Sequence, residues 1–128
     1  MRLLLDTHAF LWWLAGDAAL SRAAQGGIAD EANDIYISAA SAWEIATKHR
    51  LGKLPGATQV AVDVESWIAS QGFTALSISA RHGQAAGSLP GPHRDPFDRM
   101  LIAQAVIEDM VLVSNEQVFD AYGVRRLW

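Results

Sequence analysis

Short apolar runs separated by longer amphipathic stretches recur along the whole chain. Residues 3–5 form an uninterrupted leucine triplet, and 35–37 and 111–113 are apolar runs of the same length. Unbroken apolar runs of this size are typical of strands that are buried on both faces, as in parallel sheets. We predict strands at these three runs, a further strand over 73–78 and a fifth over 125–127.

The stretches between these runs have helical spacing and helix-boundary residues. Asp6 or Thr7, Ser21 and Asp95 are residue types that cap helices, and Pro96 suits a first helical turn. The predicted helices span 7–14, 21–32, 38–50, 60–70, 79–87, 95–109 and 114–120. Strands that alternate with helices predict an α/β protein in three layers, α/β/α, with a mostly parallel sheet of four to five strands.

Composition narrows the chemistry that this fold performs. The length of 128 residues predicts one domain over 1–128, and 51% hydrophobic residues suffice for a core. Cysteine is absent, which excludes disulfides, thiolate metal sites and a cysteine nucleophile. No apolar run approaches the roughly 18 residues that span a bilayer, and Asp6 interrupts the first run, so we expect a cytoplasmic protein without a signal peptide. The net charge of −4 argues against binding nucleic acid by bulk positive charge.

Four acidic residues fall near the carboxyl ends of the predicted strands. Asp6 ends the first strand, Glu44 and Asp98 lie in early helical turns, and Glu116 follows the 111–113 strand. Ligands bind at this edge of open parallel sheets. Helix capping explains each acid when it is taken alone, and the spacing from Ser41 to Glu44 is that of a capping box.

Taken together, the four carboxylates favour a bound cation, because at one edge they would otherwise repel one another. With no cysteine and no paired histidine spacing, they indicate a hard, oxygen-preferring ion, Mg²⁺ or Mn²⁺, rather than Zn²⁺. One ion and two ions are both compatible with the sequence. Asp95, one turn before Asp98, is a fifth candidate, either as a supporting acid or as a helix cap.

The segments around these acids also resemble a known family. They are LLLDTH at 3–8 with LWWL at 11–14, SAWEI at 41–45, DPFDRMLIAQA at 95–105, and LVSNE at 112–116 with Phe119 and YGV at 122–124. Their order and spacing resemble the PIN-domain ribonucleases, in particular the VapC-type toxins of bacterial toxin–antitoxin pairs. The similarity extends from residue 1 to the C-terminus.

This resemblance implies a PIN-like, Rossmann-like fold and metal-dependent cleavage of RNA phosphodiesters by activated water. By position it implies four catalytic acids and three supporting residues: Asp6, Glu44, Asp98 and Glu116, supported by Thr7, Asp95 and Ser114. We expect Asp6 and Asp98 to be direct or bridging ligands of the ion, Glu44 to hold an ion or its water, and Glu116 to complete the site through water. Glu116 stands where the family usually has aspartate, and its additional methylene changes the reach of the carboxylate.

Basic residues near the acids are candidates for holding RNA phosphates. They are Lys48, Arg50 and Lys53 after Glu44, and Arg94 and Arg99 around the start of the 95–109 helix. The first three suit the end of a helix equally well, where the helix dipole favours positive charge.

The first predicted helix is apolar nearly all round, and Trp12 and Trp13 are adjacent on it, so they point in different directions. One face must meet the sheet, and the other is covered by a neighbouring helix or offered to a partner. The resemblance implies a VapB-type antitoxin whose apolar segment docks near this helix, and a toxin homodimer.

Two alternatives from other classes remain open at this point. A degenerate PIN domain would bind RNA or a protein partner without cleavage; the change to Glu116 favours it, and the three remaining acids oppose it. A phosphatase or receiver-type domain would need a second acid two residues after Asp6, where His8 stands, together with a well-placed lysine.

Overall fold

A five-stranded parallel sheet lies at the centre of the protein. The structure, a computed structural model, describes all 128 residues. The strands are β1 (Arg2–Leu5), β2 (Asp34–Ser38), β3 (Thr74–Leu76), β4 (Val111–Val113) and β5 (Arg126–Leu127). Their order across the sheet is β3-β2-β1-β4-β5, and every neighbouring pair is parallel. The predicted α/β class with a parallel sheet is therefore confirmed.

Seven α-helices and one 3-10 helix connect the strands. They are α1 (Thr7–Ala15), α2 (Arg22–Ala29), α3 (Ala39–Arg50), α4 (Thr58–Ala61), α5 (Val64–Ser70), α6 (Ala80–Ser88), α7 (Pro96–Ile107) and the 3-10 helix (Gln117–Tyr122). The side chains of Asp6, Ser21 and Asp95 accept hydrogen bonds from the first turns of α1, α2 and α7, as their residue types predict. None of these helices has the length and apolarity needed to cross a membrane.

Alternating side chains of the central strands supply both faces of the core. In β1, Leu3 and Leu5 pack into a large cluster with Phe10 of α1 and Ile45 of α3. Leu4 points the other way, into a second cluster that α7 and the 3-10 helix complete. Because a strand turns successive side chains to opposite faces, an unbroken leucine run must be covered on both sides. This is the predicted three-layer arrangement.

One local prediction was wrong, and one alternative is excluded. The helix predicted over 60–70 is two helices, because Asp63 leaves the helical conformation (φ −157°) and accepts a hydrogen bond from the Ser66 amide to start α5. The capping box that the spacing from Ser41 to Glu44 allowed as an alternative does not form, because α3 begins directly after Ser38, in agreement with the helix predicted over 38–50. The Ser38 hydroxyl caps the helix by accepting from the Ala40 amide.

Candidate active site

The carboxyl ends of β1 and β4 bring the first acid and the Ser114 loop together. Leu5 pairs with Val113, and the Asp6 amide donates to the Val113 carbonyl at 3.0 Å, so Asp6 and Ser114 leave the sheet side by side. One carboxylate oxygen of Asp6 accepts from the Ala9 amide at 2.8 Å and caps α1. This buried carboxylate is thereby fixed at the edge of the sheet.

Glu44 reaches the same edge from the second turn of α3 and is buried there. The Thr7 hydroxyl donates to Glu44 Oε1 at 2.6 Å and lies 3.1 Å from the Ser41 hydroxyl. The other oxygen, Oε2, forms an ion pair with Lys48 one turn later. Both oxygens of Glu44 therefore have partners, and one of those partners carries the opposite charge.

Asp98 enters the site from the first turn of α7. Asp95 caps this helix by accepting from the amides of Phe97 and Asp98 at 2.9 and 3.1 Å. The Asp98 carboxylate is thus free of the capping task, and its Oδ2 lies 2.8 Å from Nε2 of His93. The pKa of Asp98 is raised to about 6, mainly by burial and in smaller part by the nearby charges of Asp95 and Glu116, against the opposing effect of His93.

The acids act on one another across the site. Burial raises the pKa of Asp6, the Ser114 hydroxyl and the Ala9 amide partly offset this rise, and the charge of Glu116 adds to it. Glu116 thus acts on Asp6 and Asp98 alike. Partial burial works to lower the pKa of Lys48, but its bond to Glu44 and the charges of Asp95 and Asp98 outweigh this and raise it. Glu116 therefore links Asp6 and Asp98 electrostatically, and Lys48 lies in the field of Glu44, Asp95 and Asp98.

This donor set fits a hydrated divalent ion better than a closed metal cage. All the acids offer carboxylate oxygens, the ligands that Mg²⁺ and Mn²⁺ prefer. No three acidic or histidine side chains are placed to hold one ion among them. Mg²⁺ usually keeps several waters and takes only one or two carboxylates from the protein, so the residues present suit it.

Comparison of the sequence with those of known proteins shows the family of this chain. The PIN domain family matches residues 3–124. The chain belongs to the PIN domain family. It is 31% identical over 121 residues to Ribonuclease VapC22 of Mycobacterium tuberculosis, covering 89% of this chain and 86% of that protein. Over 64 residues it is 42% identical to Ribonuclease VapC16 of the same organism, covering 48% of this chain and 45% of that one.

Solved structures share the fold of this PIN domain. VapBC2 from Rickettsia felis, bound to a DNA fragment from its promoter, superposes with a TM-score of 0.71 at 16% identity, covering 98% of this chain and 97% of that one. VapC20 from Mycobacterium tuberculosis, a sarcin-ricin loop cleaving toxin, superposes with a TM-score of 0.67 at 18% identity, covering 95% of each chain.

The basic candidates of this PIN domain divide into occupied and exposed side chains. Lys48 pairs with Glu44, and the Arg99 guanidinium donates to three backbone carbonyls between residues 86 and 93. Arg99 is thus committed to holding the chain segment before α7, which leaves it poorly placed for RNA. Arg50, Lys53 and Arg94 are exposed.

Sequence reasoning missed two contacts in this PIN domain. His93 Nε2 pairs with the carboxylate of Asp98 at 2.8 Å. Tyr122 accepts from the His93 amide at 3.0 Å, and nothing in the spacing of these residues indicates it. The only signal in the sequence for the contact between His93 and Asp98 is a histidine that shortly precedes a helix start with two aspartates.

An apolar groove of about 360 Å³ lies along the outer face of α1. Trp12 and Leu11 of α1 form one wall, and Trp67 of α5 and Leu54 belong to the other. Trp13 points elsewhere, since its indole N–H donates to the side chain of Gln71 at 3.0 Å. The two adjacent tryptophans therefore diverge, as predicted, and Trp12 is the one on the groove.

Proposed function

We propose that this PIN domain, acting as a single unit over residues 1–128, is a metal-dependent endoribonuclease and the toxin of a toxin–antitoxin pair. The observation that carries the proposal is the placement of Asp98 in the first turn of α7, partly buried beside further acids, where burial raises its pKa. An acid held this way is costly in its charged form until a cation arrives. The relatives named as ribonucleases support the same activity.

The acids have separate tasks in this mechanism. When bound, Mg²⁺ or Mn²⁺ supplies the positive charge that neutralises the phosphodiester and activates water for direct attack. Asp6 and Asp98 hold the ion, while Glu44 and Glu116 act through water. Thr7 fixes the Glu44 carboxylate by a hydrogen bond from its hydroxyl, which also contacts the Ser41 hydroxyl. Ser114 turns the loop that carries Glu116, because its hydroxyl accepts from the Glu116 amide at 3.0 Å.

RNA is held by the exposed cations around this site. Arg94 lies between His93 and Asp95, and Arg50 and Lys53 follow the helix that carries Glu44. Such contacts bind phosphates without reading sequence. Lys48 and Arg99 support the acids and the 86–93 segment, respectively, from within the protein.

The groove on α1 is the proposed docking site for an apolar segment of a VapB-type antitoxin. The structures of VapBC complexes that share the fold support such a partner. We also propose a homodimer that works in the cytoplasm. Trp43, whose side chain is 60% exposed and contacts Phe97 edge-on, is the candidate residue for the contact between two copies.

Cleavage of pooled cellular RNA by the purified, antitoxin-free protein tests the proposal. We expect cleavage with Mg²⁺ or Mn²⁺ and none with EDTA. Asp98→Asn keeps the shape of the side chain and should lose about a hundredfold or more, since even residues that only support metal ligands cost ~10–100-fold.

Asp63→Asn is the matched control, because Asp63 caps α5 and asparagine caps equally well. Folded protein that binds Mn²⁺ but cuts no RNA would favour the non-cutting PIN domain instead. Cleavage by Asp98→Asn at the wild-type rate would reduce Asp98 to a structural residue.

A further inference from the structure

A second cavity, of about 610 Å³, shares His93 with the acid site. One wall is the 89–93 loop, which includes Pro90 and Pro92, and the other is the 3-10 helix. Val118 and Ala121 both line it, because residues three apart lie on one face of a 3-10 helix. We call this space, which is distinct from the groove on α1, the loop cavity.

The walls of the loop cavity are held in place by hydrogen bonds. Arg99 donates to the carbonyls of Ala86, Leu89 and His93, at 3.0 Å for Ala86 and 2.9 Å for His93. The Tyr122 hydroxyl accepts from the His93 amide across the two walls. At Gly91 (φ +108°) a Cβ atom would lie 2.6 Å from the Tyr122 hydroxyl, so only glycine lets the loop approach this closely. The cavity is therefore preformed.

The lining indicates what the cavity takes. It is built from apolar side chains, prolines and the rings of Tyr122 and His93, and it contains no acidic, lysine or arginine side chain. A phosphate would find no counter-charge in it. A flat, uncharged ring suits it, since ligand cavities of this volume are mostly apolar and gain specificity from a few fixed polar groups.

The position of the cavity indicates where that ring comes from. His93 lines the cavity and bonds Asp98 through Nε2, so the cavity adjoins the acid site and lies within reach of a nucleotide next to a phosphate held at the acids. We propose that the loop cavity holds the nucleobase of a nucleotide next to the cleaved phosphate, and so determines which RNA sequences are cut. This inference rests on the ribonuclease activity proposed above.

The test combines protein variants with base removal from the RNA. The cut site of the wild type is mapped on pooled RNA, and synthetic RNAs of that region receive one abasic nucleotide at each position around the cut. Ala121→Phe fills the cavity from an exposed position, and Val118→Phe fills it independently. Ala23→Phe, at an exposed position of α2, is the matched control. Thermal melting checks that every variant folds.

We expect one position at which base removal lowers the wild-type kcat/KM about tenfold, the scale of stacking a base on an aromatic ring. Ala121→Phe and Val118→Phe should cut the intact RNA about tenfold more slowly. Base removal at that same position should lower the kcat/KM of these two variants by no more than about twofold, because the introduced phenylalanine already keeps the base out of the cavity. Ala23→Phe should behave as the wild type.

Other results overturn the inference. Equal losses on base removal in the wild type and in both filled variants would show that the base lies elsewhere. Filled variants that cut every RNA at the wild-type rate would show that the loop cavity takes no part in binding the RNA that is cut. Absence of cleavage by the wild type itself would instead contradict the proposed ribonuclease and remove the ground for a base pocket.

Discussion

Glu44 and Asp98 are both carboxylates in the acid site, yet their surroundings differ. Glu44 receives the Thr7 hydroxyl on one oxygen and the Lys48 ammonium on the other. Asp98 has one histidine for a partner and two further acids nearby, and its pKa rises to about 6. The fold thus gives Glu44 a partner on each carboxylate oxygen, including one of opposite charge, and gives Asp98 a histidine on one oxygen only. This difference agrees with the proposal that Asp98 takes part in holding a cation.

The largest effect on stability is expected from removing the partner that satisfies Glu44. Thr7→Val keeps the shape of the side chain and leaves Glu44 Oε1 without its donor, which should lower the free energy of unfolding by about 2–3 kcal/mol. Thr7→Ser keeps the hydroxyl and serves as the matched control, with a much smaller loss. Urea unfolding measures both; equal losses would mean that the methyl group matters rather than the hydrogen bond.

Removing the charge of Asp98 should change the free energy of unfolding in the opposite direction and stabilise the protein. In metal-free buffer at pH 8, Asp98→Asn should raise the free energy of unfolding by about 2 kcal/mol, since a pKa shift of one unit corresponds to ~1.4 kcal/mol and solvent at the partly exposed carboxylate reduces the gain. Urea unfolding in the presence of EDTA gives the value. A variant less stable than the wild type would show that Asp98 contributes to folding as an ordinary partner of His93.

The same shift predicts how stability depends on pH. Between the unfolded pKa of 3.8 and the folded pKa of about 6, the folded state keeps a proton on Asp98 that the unfolded state has released. The free energy of unfolding should therefore fall as pH rises through this window, by up to ~1.4 kcal/mol per pH unit. The difference between wild type and Asp98→Asn isolates this slope. A difference that stays constant from pH 4 to 7 would contradict the raised pKa.

The smallest change in the free energy of unfolding is expected from Glu44→Gln. Glutamine keeps an oxygen for Thr7 and loses the charge that faces Lys48, whose side chain is 33% exposed. Because solvent screens such a pair, the free energy of unfolding should fall by only about 1 kcal/mol. Urea unfolding beside Asp98→Asn compares the two acids directly; a gain in stability would mean that Glu44, too, is held at a cost.

The sequence predicted the strands of the sheet and the positions of Asp6 and Asp98 near strand and helix boundaries because the signals for both are local. Three-residue apolar runs identify buried strands, and parallel strands bring the residues that follow them to one edge. Asp6 and Asp98 are therefore placed by the strand and helix boundaries that the pattern already contains. Asp95 caps α7 as its residue type predicts.

The sequence left alternatives open, and one error arose, where tertiary contacts choose between equivalent local signals. Ser38 and Ser41 are both good caps, and the point at which β2 stops pairing with β3 decides between them, since Ser38 is still paired with Leu76. The break at Asp63 competes with a helical pattern that continues through it. The pairing of His93 with Asp98 depends on the 86–93 segment that Arg99 holds, and no spacing rule describes such a loop.

Binding of Mn²⁺ tests most directly the claim that Asp98 awaits a cation. Isothermal titration calorimetry of metal-free wild type, Asp98→Asn and the control Asp63→Asn compares the affinities at one pH. We expect the wild type and Asp63→Asn to bind Mn²⁺ equally, and Asp98→Asn to bind it at least about tenfold more weakly. Equal affinity of all three proteins would contradict the account, because the uncompensated charge of Asp98 would then have no part in holding the ion.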